Sequence, residues 1–131
     1  MIAKFKKKKK KVGIVVCENF LVDRTRAEEL LTHELIHAFD HCRAEVDWSN
    51  CEHHACSEIR AASLSGDCRF GNEIRRGNFG FAKHHQECTK RRAALSVAVN
   101  PNCDAQKAKE AIEKVFEKCF ADTAPFERMP F

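Results

Sequence analysis

The segment HELIH at residues 33–37 carries the residue types and the spacing of a catalytic zinc site. Residues four apart lie on one face of a helix, so His33 and His37 can reach the same metal ion. Glu34 lies about 100° around the helix from His33 and can act as the general base that takes a proton from water and delivers it to the leaving amine. Two histidine ligands, a carboxylate base and an open coordination position predict a metal-dependent peptidase with Zn²⁺ as its cofactor.

Two histidines leave a tetrahedral zinc site one protein ligand short. His41 continues the series from His33 and His37, but three ligands along one straight helix lie nearly in a line and do not converge on one ion. Asp40 has a short side chain and meets the same difficulty. Either residue could instead orient the ligands. The third ligand is therefore expected from a second helix that packs against the first.

Glu58 is the preferred third ligand, so the predicted metal set is His33, His37 and Glu58. Small residues surround this carboxylate and permit close approach of two helices: Ala55, Ala61 and Ala62. A carboxylate on such a helix needs a reason to be buried. His54 is the next candidate, and the pair His53 and His54 could also serve in orienting the ligands or lie on the surface. The sequence has no Tyr, so any further stabilisation of the oxyanion must fall to a His or an Arg.

Four helices and a short strand are predicted to position these residues. The β-branched run 12–17 predicts a strand, either an edge strand that aligns an extended peptide or an ordinary core strand. A capping box that begins at Thr25 opens a helix through about Cys42, and a second box at residues 49–52 opens a helix that Gly66 ends. The break-up of the pattern over 72–80 indicates a loop or a short irregular helix.

Two further helices are predicted in the second half of the chain. Residues 83–99 have helical character, and the segment NPN at 100–102 stops them. Asp104 can cap a last amphipathic helix, whose apolar face packs on the core. The fold class predicted from these elements is α+β and mostly helical: a single zincin-like metalloprotease domain over 12–131 with a small N-terminal strand component.

The charge distribution and the cysteines indicate the environment of this domain. Seven of the 23 basic residues lie within residues 1–11, so the rest of the chain holds 16 basic and 19 acidic residues and is mildly acidic. The Lys-rich tail 1–11 is expected to be disordered. Eight cysteines occur without any CxxC pair, which favours structural disulfides in an oxidising compartment over a zinc ribbon. Their connectivity cannot be read from the sequence.

Several longer motifs resemble the Atp23 family of mitochondrial metalloproteases, which includes vertebrate relatives named for binding a Ku subunit. The likeness rests on THELIHAFD (32–40), VDW (46–48), HACSEIRA (54–61), LSGDC (64–68), HHQEC (84–88), NPNC (100–103) and PF (125–126). The resemblance implies a zinc peptidase on the intermembrane-space side of the mitochondrial inner membrane, to which it attaches peripherally. It implies His33 and His37 as ligands and Glu34 as the catalytic acid and base.

The resemblance also implies a substrate and two activities. The polypeptide substrate would be the precursor of ATP synthase subunit 6, and a separate chaperone activity would assist assembly of the membrane sector. A non-catalytic assembly chaperone is one alternative. It predicts that replacement of Glu34 by Gln abolishes proteolysis and preserves the phenotype. A nuclear scaffold linked to Ku and DNA repair is the other, and it predicts salt-dependent DNA binding that disappears without residues 1–11. No specific nucleic-acid partner is otherwise expected.

Overall fold

The computed structural model describes residues 13–79 and 83–131, which form five α-helices and one short 3-10 helix at Glu18–Phe20. The α-helices, numbered in chain order, are α1 (Arg24–Arg43), α2 (Cys51–Leu64), α3 (Phe70–Arg75), α4 (His84–Ala98) and α5 (Ala105–Ala121). The four long helices confirm the four predicted ones, and α3 is the short helix considered for the glycine-rich stretch. The tail predicted for residues 1–11 lies outside the described residues.

Side-chain caps set where three of the helices begin. The Asn50 side chain accepts hydrogen bonds from the backbone N–H groups of Glu52 and His53, and Asp104 caps α5 through the N–H of Lys107. The cap predicted for α1 at Thr25 is wrong. Asp23 is the N-cap instead, because its carboxylate accepts from the N–H of Arg26 and starts the helix two residues earlier.

Helix α2 lies at the centre of the fold and packs against α1, α4 and α5. Most of its residues after the first turn are buried, including fully buried Ala55, Ile59 and Leu64. Its main apolar partners are on α5, where Ala108, Ile112 and Phe116 form the buried face that the amphipathic pattern predicts. Helix α2 also packs against α1, as predicted for the helix that carries Glu58. This contact places polar residues of α2 against α1.

Three disulfides join these helices, which confirms the predicted disulfide character. They are Cys51–Cys103, Cys56–Cys119 and Cys68–Cys88. The first two tie α2 to the start and to the end of α5, and the third ties the segment after α2 to α4. Cys17 and Cys42 are exposed and free, so the set of eight is paired only in part.

The predicted N-terminal strand is wrong over residues 13–17, which have no regular secondary structure; Val12 lies outside the described residues. A strand needs a second strand to satisfy its backbone hydrogen bonds, and no other described segment is extended beside it. Val15 is 69% exposed, and Ile14 and Val16 are only partly buried, so none of the three is a core residue. Over the described residues the fold is mostly helical, without the strand component of an α+β class.

Candidate metal centre

Helix α1 carries the histidines and the glutamate of the motif on its inner side. His37 and Glu34 are 5% and 4% exposed, and the side chain of His33 is 23% exposed. The two histidines stand one turn apart, with their Nε2 atoms 3.1 Å from each other. Helical spacing thus brings two ring nitrogens together at one point, as the i and i+4 pattern predicts.

Glu58 reaches the same point from α2. Its Oε2 atom lies 3.5 Å from His33 Nε2, and its Oε1 atom lies 3.4 Å from His37 Nε2. Among the described residues, His33, His37 and Glu58 are the one group of three or more His, Cys, Asp or Glu side chains that is arranged to hold a metal ion. The carboxylate among small residues on α2 is therefore buried against the two histidines.

The spacing and chemistry of these donors fit Zn²⁺. The two histidine nitrogens are 3.1 Å apart, and each lies 3.4–3.5 Å from a different oxygen of Glu58. One ligand atom from each of the three residues lies within 4.8 Å of the others, which is close enough for all three to reach a single ion. Two imidazoles and one carboxylate are a donor set that zinc takes in catalytic sites. Oε2 of Glu34 is buried and has no hydrogen-bond partner among the described residues, as expected of a base that awaits water.

The electrostatics of the centre favour an ionised Glu58. Burial raises the pKa of this carboxyl, but the positive potential of His37 and hydrogen bonds from His33, His37 and His54 hold it well below 4.5. Burial likewise lowers the pKa of His33, but its hydrogen bond to Glu58 and that negative charge outweigh burial and raise the pKa above 6.5. The carboxylate is thus anionic without any cation from outside.

A buried hydrogen-bond chain fixes the orientation of His37. Its Nδ1 atom lies 2.7 Å from Oγ of Ser57, and that hydroxyl donates to Oδ2 of Asp40 over 3.0 Å. Because the hydroxyl donates to the carboxylate, it accepts the Nδ1 proton; in the neutral ring the lone pair is then on Nε2, the nitrogen nearest Glu58, while the protonated ring donates from both nitrogens. Asp40, which was considered as a ligand, lies outside the metal group and acts on His37 through Ser57.

Two arginines hold Asp40 in turn. The side chain of Arg60 is 1% exposed, and its Nε donates to the Asp40 carboxylate over 3.0 Å. Its other nitrogens bind Asp122 and the backbone carbonyl of Ala124, while Arg43 bridges Asp40 and Asp122. The segment after α5 is therefore tied to the histidine ligand through a continuous set of charged contacts.

The remaining ligand candidates lie outside the group of three donors. His41 belongs to no described metal group and packs near Trp48, with ring centroids 6.3 Å apart. His54 contacts Glu58, with Nε2 3.2 Å from Oε1, but it also contacts Asn100 through Nδ1. Ser57, Arg60 and Asn100 were not predicted, because no spacing within one helix indicates contacts that cross between elements.

A cleft of about 170 Å³ opens beside the motif and is lined by both His33 and Glu34. Apolar side chains of Phe20 and Leu30 and the guanidinium groups of Arg26 and Arg92 complete much of its lining. Each arginine is paired with a carboxylate: Arg26 with Glu29 over 3.0 Å, and Arg92 with Asp67 over 2.8 Å. A polypeptide side chain or backbone could therefore lie next to the glutamate, with fixed cationic groups nearby.

The chain is similar in sequence to known proteases. The sequence pattern of the peptidase M76 family matches residues 2–127. The mitochondrial inner membrane protease ATP23 of Mycosarcoma maydis is 54% identical over 119 residues, covering 89% of this chain and 55% of the relative. The protein of the same name from Schizosaccharomyces pombe is 56% identical, covering 89% and 64%. The human mitochondrial inner membrane protease ATP23 homolog is 52% identical, covering 89% and 48%.

The chain thus spans between about half and two thirds of the length of these relatives. No solved structure is significantly similar to it. None of the described helices combines the length and the apolar character needed to cross a membrane.

Proposed function

The chain belongs to the peptidase M76 family, and we propose that it is a zinc-dependent metalloendopeptidase that binds the metal through His33, His37 and Glu58. The observation that carries this proposal is the convergence of three donor groups from α1 and α2, whose ligand atoms lie within 4.8 Å of one another. The centre is zincin-like in its helix with the His-Glu-x-x-His motif, while the described residues provide no sheet beside it.

Glu34 is the proposed general base. When bound, zinc supplies a Lewis acid that activates water and polarises the scissile carbonyl. Glu34 lines the cleft together with His33, so its carboxylate can accept the proton of an attacking water and return it to the leaving nitrogen. Burial at 4% exposure keeps bulk water away from this carboxylate and strengthens its interactions.

The cleft supports a polypeptide as substrate. Arg26 and Arg92 are each held by a carboxylate at a fixed place, and their N–H groups can donate to carbonyl oxygens of a bound peptide. Because the sequence has no Tyr, we assign to these two arginines the further stabilisation of the oxyanion. We extend to this chain the setting named for its relatives, the mitochondrial inner membrane. Peripheral attachment on the intermembrane-space side is proposed from the motif resemblance alone. The precursor of ATP synthase subunit 6 is the proposed substrate.

The test is proteolysis by the Glu34→Gln variant. We expect this variant to bind zinc as the wild type does and to lose hydrolysis of an unstructured protein substrate, because the amide cannot accept the proton. Glu28→Gln is the matched control, since Glu28 lies on α1 with a side chain 61% exposed and pairs only with Arg24. A wild type that cleaves nothing, while it and Glu34→Gln support ATP synthase assembly equally, would contradict the peptidase hypothesis and favour the assembly chaperone.

A further inference from the structure

We propose that His54 and Asn100 are positioning residues that hold the Glu58 carboxylate in place for the metal. This inference rests on the proposed zinc centre and assigns to two further side chains a role in building it. His54 lies one turn before Glu58 on α2, and Asn100 lies in the turn between α4 and α5. Both are partly buried beside the three donors.

The amide of Asn100 is fixed by three contacts. Its Nδ2 group lies 2.7 Å from the backbone carbonyl of Trp48, which can only accept, and 3.0 Å from Nδ1 of His54. Its Oδ1 accepts from the backbone N–H of Asn102 over 3.0 Å. Because the nitrogen and the oxygen of the amide face an acceptor and a donor respectively, the orientation of the amide follows from its surroundings.

This orientation determines the tautomer of His54. An amide N–H₂ only donates, so Nδ1 of the imidazole must accept and the ring proton must lie on Nε2. Nε2 then donates to Oε1 of Glu58, 3.2 Å away. His54 thus offers the carboxylate a hydrogen bond and presents no lone pair to the metal centre, which is why it is a support for Glu58 and not the third ligand.

The turn that carries Asn100 is anchored to α2. The backbone N–H of Cys103 donates to the carbonyl of Asn100 over 2.9 Å, and Cys103 forms a disulfide with Cys51, the first residue of α2. Asn100 also joins the segment before α2 through Trp48. The amide is therefore held from both sides, and the chain Asn100, His54, Glu58 transmits that fixed position to the carboxylate.

The zinc affinity of the full chain, measured by competition with a chromophoric chelator, tests the proposal. We expect His54→Ala to raise the zinc Kd about 10–100-fold, the range for groups that orient ligands. His54→Gln should recover most of the affinity, because its amide N–H can donate from the place of Nε2. His53→Ala is the matched control: His53 is the exposed neighbour on α2 that accepts from the backbone N–H of Asp47, and its loss should leave the Kd unchanged.

Asn100→Leu is the second variant and keeps the approximate size of the side chain. It removes the N–H group from which Nδ1 of His54 accepts, so the ring tautomer is no longer fixed and Nε2 no longer has to donate to Glu58. We expect a weaker zinc affinity and an altered visible absorption spectrum after Co²⁺ substitution, with apo-protein stability measured alongside. A Kd for both His54→Ala and Asn100→Leu equal to that of His53→Ala would overturn the positioning role alone. A wild type that binds no zinc would overturn the metal centre, and this inference with it.

Discussion

Replacement of Ser57 by Ala removes the hydroxyl that joins His37, a proposed metal ligand, to its buried support. In the native chain this oxygen accepts from His37 Nδ1 at 2.7 Å and donates to Asp40 Oδ2 at 3.0 Å. Ser57 is 2% exposed, so water does not readily replace the hydroxyl. The substitution therefore deletes two hydrogen bonds, one of them to a carboxylate, without adding volume.

The expected magnitude follows from those two bonds. Asp40 keeps its contacts with Arg60 and Arg43, so most of the loss falls on the imidazole of His37. Removing a partner from a buried polar group costs about 1–3 kcal/mol, which should appear in the free energy of unfolding of the apo-protein. Freeing the ring to rotate should raise the zinc Kd about 10–100-fold, equivalent to about 1.4–2.7 kcal/mol.

The assay is a zinc titration of wild type, Ser57→Ala and Ser63→Ala by chelator competition. Ser63 is the matched control because it lies on α2, is 1% exposed and has a hydroxyl that donates to the carbonyl of Arg60, one turn back; the contact of its backbone carbonyl with His85 does not depend on the side chain. We expect Ser63→Ala to retain the wild-type zinc Kd. The reasoning is refuted if Ser57→Ala and Ser63→Ala bind zinc with equal affinity, since the hydroxyl would then have no part in orienting His37.

Three further predictions concern stability. Arg60→Met leaves a buried carboxylate without its closest cation and should lower the free energy of unfolding by about 3–5 kcal/mol in urea denaturation; a loss below about 1 kcal/mol would contradict the buried network. Replacing Cys51 and Cys103 together by Ala removes a disulfide between residues 52 positions apart and should lower the free energy of unfolding by about 4 kcal/mol. The variant should therefore unfold at a lower guanidinium concentration than the wild type, and an unchanged midpoint would contradict this prediction. Burial raises the pKa of Asp67, but its ion pairs, first that with Arg92, hold this pKa below 3.8. The ionised Asp67 therefore contributes its full stabilisation above pH 3.8, and this contribution is lost as the pH falls through the pKa of the folded protein. Asp67→Asn should therefore be less stable at neutral pH and lose less stability below about pH 4, whereas an acid-unfolding profile like that of the wild type would exclude this contribution.

The sequence predicted the helices that build the site because their signals are local. Periodic apolar residues, the capping box at residues 49–52 and the cap at Asp104 indicated α2 and α5, although the N-cap of α2 is Asn50 and not the first residue of that box. The i and i+4 spacing brought His33 and His37 together. The boundary of α1 was missed because Asp23 competes successfully with Thr25 for the first free N–H groups. The strand was wrongly predicted because β-branched composition does not reveal whether a second strand is present to pair with.

The contacts that cross between helices were beyond the sequence. Glu58 could be preferred as a ligand because a carboxylate among small residues indicates close packing. Nothing in the spacing pairs Ser57 with His37, or Asn100 with His54, since each contact depends on how two elements are rotated against each other. The same dependence on packing left the disulfide connectivity open until the fold was known.

The zinc content of the wild type and of Glu58→Ala after dialysis tests the central claim most directly. The account predicts one zinc ion per chain in the wild type and loss of most of that zinc from Glu58→Ala, because two imidazoles remain on one helix without the third donor from α2. One tightly held zinc ion in Glu58→Ala, or none in the wild type, would contradict a metal centre formed by His33, His37 and Glu58.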